Sequence, residues 1–107
     1  MNVNEEQIKQ SSEGLKALAH PLRLTIICYL MDDELCVSDL EKKTGALQSN
    51  LSQHLSKMRS LGVIASKKRG QHVYYRLANS QWSQVVYALQ TMYCPKVILQ
   101  EENKHAS

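Results

Sequence analysis

Between Lys42 and Arg76 the chain holds no aspartate and no glutamate, yet the same stretch carries eight lysines and arginines. The first forty-one residues are the reverse, with three basic residues against eight acidic ones. A net charge of +3 therefore conceals an acidic block followed by a basic one. Clustered cations without carboxylates to offset them attract phosphate backbones by Coulomb forces and counterion release, so the basic block is the electrostatic footprint of a nucleic-acid binder. Charge alone also allows a lysine-rich solvated face.

Other absences narrow the class further. The longest apolar run, Leu24 to Met31 with Thr25 inside it, is far short of the ~20 residues that span a bilayer. The start, Met1 to Glu6, is polar and acidic and lacks the basic and apolar regions of a secretory signal. A cytoplasmic protein without membrane contact is expected. Three cysteines, an odd number in a reducing compartment, read as free thiols, ligands or redox switches rather than structural disulfides. There is no internal repeat, no nucleotide-binding loop and no evident nucleophile–base pair, so neither an enzyme nor a bound cofactor is expected. The length of 107 residues suits one domain, assigned to residues 1–99, with a flexible, unpatterned tail at 100–107.

The patterning is mainly helical. Ile8, Leu15, Leu18 and Ala19 give a moderately amphipathic helix over Glu5–Ala19, ended by His20-Pro21. Pro21 suits the first turn of the next helix, Leu22–Met31, whose apolar residues run nearly all round and predict burial at the centre of the fold. Ser38 and Glu41 have capping-box spacing and predict a short helix through Lys43, closed by Gly45.

The helix over Gln48–Leu61 carries the functional signal. Leu51, Leu55 and Met58 form one stripe, while Ser49, Ser52, Gln53, Ser56, Lys57 and Ser60 cover the opposite side. A face of small hydroxyls and amides permits close approach to base edges, where Gln or Asn pairs with adenine in the major groove. Helix, glycine-containing turn and helix form a helix-turn-helix. After Gly62 the period becomes two: Val63–Ser66 and Val73–Leu77 predict a β-hairpin with Lys67, Lys68, Arg69, Gly70, Gln71 and His72 at its tip, a basic wing. A last helix, Gln81–Tyr93, sets Trp82, Val85, Val86, Leu89, Met92 and Tyr93 on one broad apolar face. The expected fold is mainly α with a small β-hairpin, a winged helix-turn-helix in the order α-α-α-α-β-β-α.

Lys16-Ala-Leu-Ala-His-Pro-Leu-Arg-Leu24, Glu34-Leu-Cys-Val-Ser-Asp-Leu40, Leu51-Ser-Gln-His-Leu55 and Gly70-Gln-His-Val-Tyr-Tyr-Arg-Leu77 occur in the order that resembles the ArsR/SmtB family of bacterial winged-helix repressors. The likeness covers residues from about 10 to 95. It implies a homodimer through the first and last helices, a recognition helix at Gln48–Leu61, a palindromic double-stranded DNA operator and release by an inducer. One departure is Leu47, where many members have a capping Ser; the helix start then lacks a cap worth about 1 kcal/mol.

Within the family, the arsenic-type site is built around Cys-Val-Cys, and here Cys36-Val37-Ser38 retains one thiol. The zinc-type site on the last helix needs Asp and His, and residues 80–95 hold no His, Asp or Glu; no metal site is expected, with Cys36 as the thiol ligand of an alternative arsenite or soft-metal sensor. Composition alone reads Cys28 as a small core hydrophobe and Cys94 as a bystander at a helix end. The likeness implies more. Cys28 after two aliphatics and Cys94 in a terminal Tyr-Cys resemble the dithiol branch, of the BigR, SqrR and HlyU type, in which such a pair responds to persulfides, polysulfides or oxidants. Base-proximal candidates are Gln48, Ser49, Asn50, Ser52 and Gln53; His54, at the border of the apolar stripe, is expected to be structural or to meet phosphate. Lys57, Lys67, Lys68 and Arg69, with Gln71 at the wing tip, are the expected phosphate contacts, whereas Arg59 is placed facing away and Tyr74 and Tyr75 in wing packing. His20 and His72 stand too isolated in sequence to be argued as ligands.

Overall fold

A computed structural model describes residues 2–93. Cys94, Pro95 and the tail at 100–107 lie outside the described residues. Helix α1 spans Glu5–Leu18, α2 Pro21–Leu30, α3 Val37–Thr44, α4 Gln48–Ser60 and α5 Gln81–Tyr93; strands β1, β2 and β3 span Leu35–Cys36, Ile64–Arg69 and His72–Leu77. No helix among the described residues is long and apolar enough to cross a membrane.

Local chemistry sets the helix boundaries. The Asn4 side chain accepts from the amides of Glu6 and Gln7 and starts α1. His20 starts α2 by accepting the Leu22 amide at Nδ1 (3.1 Å), and Pro21 follows at the first helical position, where a missing N–H costs nothing. Gly45 closes α3 with φ 74°, a left-handed conformation that leads through Ala46 and Leu47 into α4. Leu47 stands at the α4 N-cap with no side-chain cap hydrogen bond, as its residue type predicts.

Two expectations need correction. The capping pair of α3 is Cys36 and Asp39, not Ser38 and Glu41: Asp39 Oδ2 accepts the Cys36 amide at 3.2 Å and the helix starts at Val37. The cause is a strand absent from the sequence reading. Leu35 and Cys36 pair with Tyr75 and Tyr74, so β1 joins the hairpin in an antiparallel sheet of order β1-β3-β2 and pins the helix start two residues early.

The hairpin pairs Ile64 with Leu77 through Arg69 with His72, leaving Gly70-Gln71 as a two-residue turn. Gly70, at φ 62°, supplies the positive dihedral that such a turn requires at its first central position. The core gathers Ile26, Ile27 and Leu30 from α2, Leu40 from α3, Leu51, Leu55 and Met58 from α4, Val63 and Ile64, and Val86 from α5. Burying each such side chain contributes roughly 1.5–3 kcal/mol. The α5 face divides: Val86 is buried and Trp82 and Leu89 half-buried, but Val85, Met92 and Tyr93 are exposed. On α1, Ile8 and Leu15 are exposed as well. Trp82 packs over Gly14, where an added Cβ would lie 2.9 Å from the indole, so glycine is what allows α1 and α5 to approach.

Candidate nucleic-acid interface and thiol site

The apolar stripe of α4 (Leu51, Leu55, Met58) is wholly buried, and this anchors the helix with its polar side outward. Gln48, Ser49, Asn50, Ser52, Gln53 and Lys57 are all exposed. Ser52, Gln53, Ser56, Lys57 and Ser60 line one open hollow of about 510 Å³. Arg59 turns from this face, donating to Ser66 Oγ of β2 at 3.0 Å and tying α4 to the hairpin.

His54 belongs to a cluster that its sequence neighbours do not reveal. It is half-buried, its Nδ1 accepts from Arg23 Nε at 3.1 Å, and its ring lies 4.4 Å from that of His20. Burial holds the His54 pKa below its ordinary value, and His20 and Arg23 push the same way. His20 is therefore not isolated: it caps α2 and packs against α4.

At the wing, Lys67, Lys68, Arg69 and Gln71 are exposed. Arg69 is already engaged, 2.8 Å from Glu34 and over the Tyr74 ring at 5.6 Å. Tyr74 and Tyr75 are half-buried in the sheet.

The two described cysteines occupy different settings. Cys36 is 6% exposed, and its Sγ lies 3.2 Å from Asp39 Oδ2 and 3.1 Å from Ser38 Oγ. The bond from the Cys36 amide, followed by that from its thiol, holds the Asp39 carboxyl below the usual carboxylate range. Among the described residues no three His, Cys, Asp or Glu side chains gather as a metal site. Cys28 is half-buried and lines an apolar groove of about 420 Å³ between α2 and α5, with Leu24, Thr25, Val86, Leu89 and Tyr93. Gln90 Nε2 donates to Cys28 Sγ at 3.5 Å.

Residues 20–66, which hold α2, the helix-turn-helix and the first half of β2, match the family described as bacterial regulatory protein, arsR family. The chain is 34% identical over 90 residues to the biofilm growth-associated repressor of Xylella fastidiosa, covering 84% of this chain and 79% of that protein. It is 37% identical over 97 residues to the transcriptional activator HlyU of Vibrio cholerae, covering 88% and 89%. The chain belongs to the ArsR family.

Solved structures of this family superpose on the fold. HlyU from Vibrio cholerae N16961 matches with a TM-score of 0.79 at 35% identity, over 85% of this chain and 99% of the other. The repressor BigR from Xylella fastidiosa matches with a TM-score of 0.78 at 34% identity, over 84% and 92%. This ArsR-family chain is thus a winged-helix, DNA-binding transcriptional regulator of the BigR- and HlyU-like branch. Gln90 is the member of the thiol site that sequence reasoning missed; its signal was an amide among the apolar positions of α5 (Val86, Leu89, Met92). Arg23 and Glu34 were missed too, and their partners His54 and Arg69 are more than thirty residues away, beyond any local pattern.

Proposed function

We propose that the chain is a homodimeric regulator that sets α4 into the major groove of each half of a palindromic operator, with its DNA affinity controlled by reactive sulfur or oxidants at Cys28 and Cys94. The observation that carries the thiol part is the position of Cys28. It lines the groove between α2, which packs on the DNA-reading half, and α5, whose exposed Val85, Met92 and Tyr93 are suited to meet a second copy. A chemical link from Cys28 to the end of α5 would join these two parts.

The chemistry balances with an organic polysulfide as the oxidant. Cys28 thiolate attacks an inner sulfur of an R–S–S–S–S–R chain, forming one S–S bond, breaking another and expelling R–S–S⁻. Cys94 thiolate then attacks the sulfur now attached to Cys28 and expels R–S⁻, leaving a trisulfide bridge. The two cysteines give up two electrons and two protons; the two released fragments take up both. A direct disulfide needs Cα atoms within about 7 Å, and each inserted sulfur relaxes that limit. A bridge that shifts α5 alters the spacing of the two α4 helices, and operator half-sites about one turn apart do not tolerate such a change without loss of affinity.

The test is peptide mass spectrometry on the reduced full chain after separate exposure to glutathione tetrasulfide, peroxide and arsenite. A Cys28–Cys94 cross-link containing added sulfur, formed with the tetrasulfide, is the expected product. Cys28 left unmodified together with arsenite retained through Cys36 would replace this reading with that of a thiol-ligated metalloid sensor. Unchanged operator binding after full modification of both thiols would remove thiol control altogether.

A further inference from the structure

The side chain of Leu47 neither caps a helix nor joins the core. It occupies the N-cap of α4, where a hydroxyl or carboxylate would bond the first free amides, and it makes no such bond. It is 70% exposed, although a leucine gains stability only by leaving water. The hydrophobic contact that often fixes a helix entry comes from the residue before the cap, and Ala46 holds that position, packed on the core. The other large apolar residues exposed on helices lie mostly on α1 and α5, the faces assigned above to a second copy, and α4 has no part in them. The three residues that follow Leu47, Gln48, Ser49 and Asn50, are exposed and polar.

The first turn of a recognition helix is where side chains meet base edges. In the major groove three of the four bases present only hydrogen-bonding groups, whereas thymine adds a C5-methyl, an apolar target. We infer that Leu47 reads a thymine methyl in each half-site and so specifies the base pair next to those read by Gln48 and Asn50. This rests on α4 being the groove-reading helix. Leu47 excludes water from the methyl, and a cytosine at that position offers it nothing to cover.

The experiment selects duplexes from a random-sequence library with the wild type, Leu47→Ala and Gln48→Ala, then measures the selected duplex with deoxyuridine in place of single thymidines. Alanine is as poor a cap as leucine, so Leu47→Ala removes the apolar reach and leaves the helix start unchanged; circular dichroism checks the fold. The wild type is expected to select one thymine per half-site whose replacement by deoxyuridine weakens binding about fourfold, and roughly fifteenfold when both half-sites are changed. Leu47→Ala is expected to lose that preference and to bind both duplexes equally. If Leu47→Ala selects the same thymine with the same deoxyuridine penalty while Gln48→Ala changes its selection, the inference about Leu47 falls and α4 remains the reading helix. If neither variant changes the selected sequence, both readings fall.

Discussion

His54 illustrates how one side chain links α4 to the rest of the molecule. Its neutral Nδ1 accepts from Arg23, and a protonated ring could not. His20 faces it from the start of α2, its own Nδ1 accepting the Leu22 amide. Protonation of His54 therefore breaks the bond from Arg23 that ties α2 to α4 and sets two cations together. Because the folded-state pKa of His54 is depressed below 6.5, the unfolded chain binds the proton first as the solution is acidified. The stability due to neutral His54 is thus present above about pH 6.5 and is lost as pH falls through the lower folded value. Thermal melts at pH 7.5 and 5 are expected to show a smaller drop, by a few degrees, for His54→Gln than for wild type, since Gln can still accept from Arg23. Equal drops would place the acid sensitivity elsewhere.

Among the elements, α4 was legible because Leu51, Leu55 and Met58 recur at helical spacing over about two turns and each is fully buried. Strand β1 was not, since two residues cannot display a period of two, and its pairing with β3 is a tertiary fact. The start of α3 failed for the same reason. Cys36–Asp39 and Ser38–Glu41 share the capping spacing, residue preference favours Ser with Glu, and only the strand decides for Cys36. Periodicity likewise found the apolar face of α5 but could not tell which part of it meets the chain's own core. The wing tests how far exposed charge can be read as contact. Lys68→Ala is expected to weaken binding to all DNA sequences and to flatten the salt slope by about one. Arg69, proposed to meet phosphate, is already paired with Glu34 in an exposed pair worth under about 1 kcal/mol. Arg69→Ala is accordingly expected to flatten the slope by less than Lys68→Ala, and Glu34→Gln to tighten binding at low salt. Anisotropy titrations between about 50 and 200 mM salt measure both; equal slopes for the two alanine variants would mean that Arg69 leaves Glu34 fully for phosphate.

At the scale of the whole molecule, Leu15 on α1 and Met92 on α5 are more than half exposed. A glutamate at either site leaves the protomer core untouched and is incompatible with a dry apolar interface. Leu15→Glu and Met92→Glu are each expected to sediment as monomers with unaltered circular dichroism. Their operator affinity should fall by at least about 100-fold, the loss that follows when two linked half-site contacts become one. A dimer that survives both changes would move the interface off these helices.

Trp82 is the chain's one tryptophan, and its indole rests on Gly14, between the two helices that such a dimer would use. The protein thus contains a built-in fluorophore at the seam its thiols are proposed to strain. Its emission is expected to follow the packing of α1 on α5, so the proposed conversion of the reduced to the bridged form would be timed in a stopped-flow cuvette without label or DNA.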